Sequence, residues 1–76
     1  ADGSEVYMKK AGEYIKLGIE TDFYTITEIA RQRNEIAVGY KKATQEGNDI
    51  VTNPKKADKV TFEKEDYLIV ISEGNE

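Results

Sequence analysis

The sequence has no cysteine, no histidine and no tryptophan, and a single proline in 76 residues. Without cysteine there is no disulfide framework and no thiolate metal site. Without histidine the commonest neutral general base and zinc ligand is missing. Thiol, zinc and Ser-His-Asp chemistries drop out. Positive charge is also scarce, with 11 Lys and Arg against 15 Asp and Glu and a formal net charge of -4. No basic stripe is available to neutralise phosphates, so nucleic acid and anionic membrane surfaces are not expected partners. The longest apolar run, Leu68-Ile69-Val70-Ile71, is far short of the roughly 20 residues of a spanning helix, which argues against direct membrane insertion. The six glycines form neither G-x-G-x-x-G nor a P-loop, so no nucleotide cradle of those classes is encoded.

The length is that of one small domain over residues 1–76. A chain of this size buries only about 60% of the surface its unfolded form exposes, so a thin core is expected and a partner surface would add stability. The start Ala1-Asp2-Gly3-Ser4-Glu5 lacks Met, and the end Glu73-Gly74-Asn75-Glu76 is polar. These features read as a domain excised from a longer protein, with mobile ends.

Val6-Tyr7-Met8 reads as a short strand ending at Lys9-Lys10, followed by a turn of helix at Ala11–Ile15 and a break at Leu17-Gly18. Thr25 with Glu28 three residues on has the spacing of a capping box, which predicts a helix starting at Thr25. Tyr24 and Ile29 would form its hydrophobic staple, Ile26, Ile29 and Ala30 would share a face, and Asn34 would stop it. Glu35–Lys41 alternates large Ile36, Val38 and Tyr40 with small Ala37 and Gly39, a strand pattern. Lys42–Asn48 reads as a solvated loop, leading by a hairpin to a strand at Ile50-Val51 that ends at Asn53-Pro54. Lys59–Phe62 alternates again, Glu63–Asp66 reads as a charged turn, and Tyr67–Ile71 is apolar on both faces, as a central strand is. The expected fold is α+β: a mostly antiparallel sheet of about four to five strands packed with one main helix.

Catalytic chemistry is not encoded. The many acids, among them Glu13, Glu20, Asp22, Glu28, Glu46, Asp49, Glu63, Glu65 and Asp66, show no calcium-loop spacing and read as solvated surface. The lysine doublets Lys9-Lys10 and Lys55-Lys56 read the same way. Ser4 and Ser72 have no base to activate them, so an enzyme is not expected, and no cofactor or metal is either. The five tyrosines and two phenylalanines lack interleaved basic residues and belong to core or interface packing rather than base stacking.

Taken together, Arg33–Tyr40 (R-N-E-I-A-V-G-Y), the turn Asn53-Pro54-Lys55 and Asp66–Glu73 (D-Y-L-I-V-I-S-E) resemble the C-terminal regulatory region of Castor/Pollux-type ion channels and their prokaryotic relatives. That region lies within the wider RCK, or TrkA-C-like, group of potassium-transport regulatory domains. Val6–Ala11, Glu13-Tyr14-Ile15 and Phe23–Arg33 fit the same pattern, so the likeness covers nearly the whole chain. Glu65 departs from it, standing where many relatives have glycine. The resemblance implies a TrkA-C-like lobe on the cytoplasmic side of a potassium or other cation channel. There it would follow a Rossmann-like domain and pore helices, pair as a homodimer within a gating ring, and couple ligand or ion binding to gating. No motif fixes a ligand, so nucleotide or calcium binding is not implied.

If two copies join through an apolar surface, the candidate residues are Ile36, Val38, Tyr40, Ile50 and Val51, each of which reads equally well as core. An alternative function is a small-molecule-binding or assembly domain of a soluble multidomain enzyme. The two differ in what precedes the domain: pore helices in one case, a catalytic domain in the other.

Overall fold

The computed structural model describes residues 4–73. Of the ends expected to be mobile, Ala1–Glu5 and Glu73–Glu76, the backbones of Ser4, Glu5 and Glu73 are held in the β1–β6 pairing, while residues 1–3 and 74–76 lie outside the described residues. The elements run β1 (Ser4–Lys10), a 3-10 turn (Ala11–Glu13), β2 (Glu20–Asp22), α1 (Phe23–Gln32), β3 (Glu35–Thr44), β4 (Gly47–Thr52), β5 (Lys59–Thr61) and β6 (Tyr67–Glu73). A four-stranded sheet has the order β1-β6-β3-β4, β2 and β5 form a separate pair, and every pairing is antiparallel. The α+β expectation holds. The doubly apolar segment Tyr67–Ile71 lies in an internal strand, hydrogen-bonded to β1 on one side and β3 on the other.

The helix begins earlier than the Thr25–Glu28 spacing predicts. Its cap is Asp22, whose Oδ1 accepts from the Thr25 amide and the Thr25 hydroxyl, each at 2.9 Å. Asp22 is a stronger cap than Thr and takes the role, leaving Thr25 as the residue it bonds to. Glu28 pairs with Arg31 at 2.9 Å instead of reaching back to the amide end. Tyr24 is 61% exposed, so the predicted staple with Ile29 does not form. Ile26 and Ala30 are buried on the face that meets the sheet, with Ile29 beside them. Asn34 ends the helix as expected, adopting the left-handed conformation at φ 62°.

The segment read as a solvated loop, Lys42–Asn48, is mostly hairpin. β3 runs on to Thr44, Gln45 and Glu46 make the turn, and β4 begins at Gly47, whose φ of 134° suits glycine. β2 has too few residues for a legible period, and it exists by pairing with β5. The core consists of Ala11, Tyr14, Phe23, Ile26, Ala30, Ala37, Phe62, Leu68 and Val70, all between the helix layer and one face of the large sheet. Burying Phe62, Ile26, Leu68 and Val70 contributes about 1.5–3 kcal/mol each.

Candidate functional site

Side chains alternate across the sheet, so with Leu68 and Val70 turned to the core, Tyr67, Ile69 and Ile71 face the other way. The register carries this open face across three strands. Val6, Ile71 and Ile36 form one row, and Met8, Ile69 and the Val38-Gly39 step form the next. Lys10, Tyr67 and Lys41 form the third, which continues to Ile50 on β4. Val6 is 66% exposed, Ile36 and Ile50 are each 61% exposed and Met8 is 45% exposed. No element among the described residues covers them. A contiguous apolar patch of this kind on a small domain marks an interaction surface. The described side chains on this face include no acid. At one end Lys41 Nζ lies 4.9 Å from the Tyr67 ring centroid, a cation–π contact.

The five candidate interface residues fall on two faces: Ile50 and Val51 alternate as neighbours in β4, and a bulge in β3 separates Ile36 from Tyr40. Ala37 pairs with Val70 and Gly39 with Ile69, so Val38 is an extra residue in β3. The bulge reverses the alternation. Ile36 and Ile50 are on the open face, with half-buried Val38 turned the same way. Tyr40 points to the helix side, its ring edge-on to Phe62 at 5.2 Å and tilted against Phe23 at 6.3 Å. Val51, opposite Tyr40, shares that side. The Val38 carbonyl that the bulge frees accepts from the Asn53 amide at 2.7 Å.

Two buried carboxylates tie the strands together. Glu35 accepts from the Tyr14 hydroxyl at 2.6 Å and from Lys9 Nζ at 2.7 Å, linking β3 to the 3-10 turn region and to β1. Burial pushes its carboxyl up, but the bonds from Lys9 and Tyr14 and the charges of Lys9 and Arg33 outweigh this and leave it below the ordinary range. The Tyr14 hydroxyl is pushed up, first by burial and then by its bond to Glu35, while Arg33 stacks 4.1 Å from its ring.

Asp66, 1% exposed, is not the solvated turn residue that its charged neighbours suggest. It accepts from Lys42 Nζ at 2.7 Å and from the amides of Ala43 and Glu63 at 2.8 Å each. Burial pushes its pKa up, but the bonds from Lys42 and the two amides outweigh this, so the net shift is downward. Lys9 and Lys42 are therefore structural cations. The sequence signal that could have found Asp66 is its position directly before the most apolar strand, after three further charged residues.

Two depressions flank these features. One of about 210 Å³ is lined by Arg31, Asn34, Glu35, Ile36 and Ile71. The other, about 320 Å³, lies on the helix side between Ile15, Ile19 and Ile29. Among the described residues no group of three or more acids could hold a metal ion, and no helix is long and apolar enough to cross a membrane.

Three ion channels match the chain over most of its length. The chain is 35% identical over 72 residues to the ion channel CASTOR of Lotus japonicus, matching 95% of this chain. It is 38% identical over 71 residues to the probable ion channel POLLUX of Arabidopsis thaliana, matching 92% of the chain. It is 30% identical over 71 residues to the probable ion channel CASTOR of Oryza sativa subsp. japonica, matching 93%. The chain spans 8% of the length of each of these relatives. No family model matches it.

Proposed function

We propose that this chain, a Castor/Pollux-type relative, is a regulatory domain of a potassium or other cation channel that self-associates and couples ligand or ion binding to gating. The observation that carries this reading is the near end-to-end similarity to proteins named as ion channels. The open apolar face supports it, because a lobe that passes on conformational change needs a surface through which to do so. In this reading the lobe is TrkA-C-like, lies on the cytoplasmic side, follows a Rossmann-like domain and the pore in the longer protein, and pairs with its copy in a gating ring. A ligand acts by favouring one relative orientation of the paired lobes, and shifts the gate by no more than its differential affinity for the two orientations. The soluble-enzyme alternative has no counterpart among these relatives.

The test is single-channel recording of the full-length protein carrying Ile36→Asp. Changed open probability with unchanged unitary conductance supports a regulatory role. Unchanged open probability across the calcium and adenine-nucleotide concentrations tested overturns it.

A further inference from the structure

We propose that the depression between α1 and the segment 14–21 binds a free α-amino acid with an apolar side chain. Its carboxylate meets Lys16, its ammonium group meets Glu20 and Thr25, and its side chain lies among Ile15, Ile19 and Ile29. This names the class of ligand that the functional reading above leaves open, and its regulatory consequence rests on that reading.

The walls stand before a ligand arrives. On one side the chain is pinned along its length: the Ile15 amide donates to the Ala11 carbonyl at 3.1 Å, the Gly18 amide donates to the Phe62 carbonyl at 2.8 Å, and Glu20–Asp22 pairs with β5. Gly18 turns the segment at φ 78°, a conformation glycine takes without strain. On the other side Thr25 and Ile29 stand one turn apart on α1 and so share a face. Ile19 is 57% exposed and Ile15 and Ile29 are half-buried, so the floor and one wall offer apolar surface that a ligand would take out of water. The volume, about 320 Å³, is at the small end of ligand sites, which run from roughly 300 to 1,000 Å³.

Charge selects the occupant. Lys16 and Glu20 both line the depression and both are exposed. The lysines of the two buried clusters are engaged with Glu35 and Asp66, whereas neither Lys16 nor Glu20 joins an ion pair among the described residues. Two free charges of opposite sign beside one apolar slot are complementary to a zwitterion. An apolar carboxylic acid would pair with Lys16 and be repelled by Glu20, and an apolar amine would meet the reverse. A peptide carries its two terminal charges on different residues, whereas a free amino acid carries both on one carbon atom. Thr25 sets the direction. Its hydroxyl donates to Asp22 Oδ1 at 2.9 Å, which leaves its oxygen to accept, so the ammonium group belongs at the Glu20–Thr25 end and the carboxylate at Lys16.

The experiment is calorimetric titration of the 76-residue chain with leucine and with phenylalanine, and amide NMR spectra along the same titrations. The expected dissociation constant is about 0.1–1 mM, as suits a small ligand in an open site, with shifted amide signals confined to residues 15–21 and 25–29. Glycine, which lacks the apolar side chain, is expected to bind about ten- to a hundredfold more weakly. N-acetyl-leucine, without the ammonium group, and leucinamide, without the carboxylate, are each expected to lose at least about tenfold. The variants assign the ends: Lys16→Gln makes leucine and leucinamide bind alike, Glu20→Gln makes leucine and N-acetyl-leucine bind alike, and Glu46→Gln, on the β3–β4 turn, changes nothing. Both altered residues are exposed, and circular dichroism establishes that each variant is folded. Equal binding of leucine, leucinamide and N-acetyl-leucine to the unaltered chain overturns the zwitterion, and shifts confined to other residues overturn the site. No binding of either amino acid at about 10 mM, well above the expected constant, overturns the proposal outright. The titrations need no channel, so their failure strikes this site alone, while the recordings of Ile36→Asp decide the regulatory reading independently.

Discussion

Replacing Asp66 by Asn preserves its volume but turns an amide group toward donors. Lys42 Nζ and the Glu63 amide both bond to Oδ2 while the Ala43 amide bonds to Oδ1, so one oxygen of Asn cannot serve both sides. Removing one partner of a buried ion pair costs about 3–5 kcal/mol. A domain of this length has a total stability of about 4–11 kcal/mol. Asp66→Asn is therefore expected to leave a substantial unfolded fraction in urea titration, whereas Glu65→Gln, at an exposed neighbour, changes the midpoint little. The same two carboxylates set the acid limit. Glu35 and Asp66 titrate below their ordinary values of 4.5 and 3.8. Their contribution is therefore complete above those values and is lost as pH falls through the lower, folded ones. Tyr14 runs in the other direction, its pKa raised above 10.0, so its contribution is complete below pH 10 and is lost as pH rises beyond it. Thermal melts across pH check both: Glu35→Gln flattens the acid limb, and Tyr14→Phe flattens the alkaline limb.

Among the elements, α1 and the β3–β4 hairpin give the sharpest tests. Asp22→Ala removes the cap acceptor for the Thr25 amide and is expected to cost about 1 kcal/mol, while Glu28→Ala, which leaves the cap intact, costs less. At Gly39 a methyl group would sit 2.2 Å from the Val51 carbonyl oxygen. Gly39→Ala must therefore push β4 away from β3, and amide exchange is expected to accelerate across Gly47–Thr52 ahead of the other strands. These elements also show what the sequence can convey. The alternation in β3 and the doubly apolar β6 follow from side-chain period and were legible, as was the single helix. The bulge at Val38 was not, because it arises from registering β3 against β6 and leaves no mark on local alternation. Hence Ile36 and Tyr40, two of the five candidate interface residues, separate to opposite faces. The β2–β5 pair, three residues in each strand, and the buried ends of Lys42 and Asp66 come from contacts distant in the chain, which period and propensity do not encode.

For the molecule as a whole, one layer of helix covers one face of the sheet, and the other face has nothing over it among the described residues. The thin core is thus paired with a second apolar surface whose burial stabilises the fold only when something beyond the described residues covers it. Binding that requires the folded state adds stability by mass action, in proportion to the logarithm of partner concentration over the dissociation constant. With a second copy as the partner, the melting temperature must rise with protein concentration, whereas the unfolding of a monomer is concentration-independent. For a domain of this size about 1 kcal/mol shifts the midpoint by roughly 4–8 °C. A tenfold increase in concentration well above the dimer dissociation constant is therefore expected to raise it by a few degrees. Ile36→Asp should abolish the dependence while losing little at the lowest concentration, because the residue is 61% exposed in the single chain. A midpoint that stays fixed over a hundredfold range for the wild-type chain would mean that the open face contributes nothing to its stability in solution. Calorimetry over such a dilution series therefore separates a self-complementary surface from one that serves a different partner.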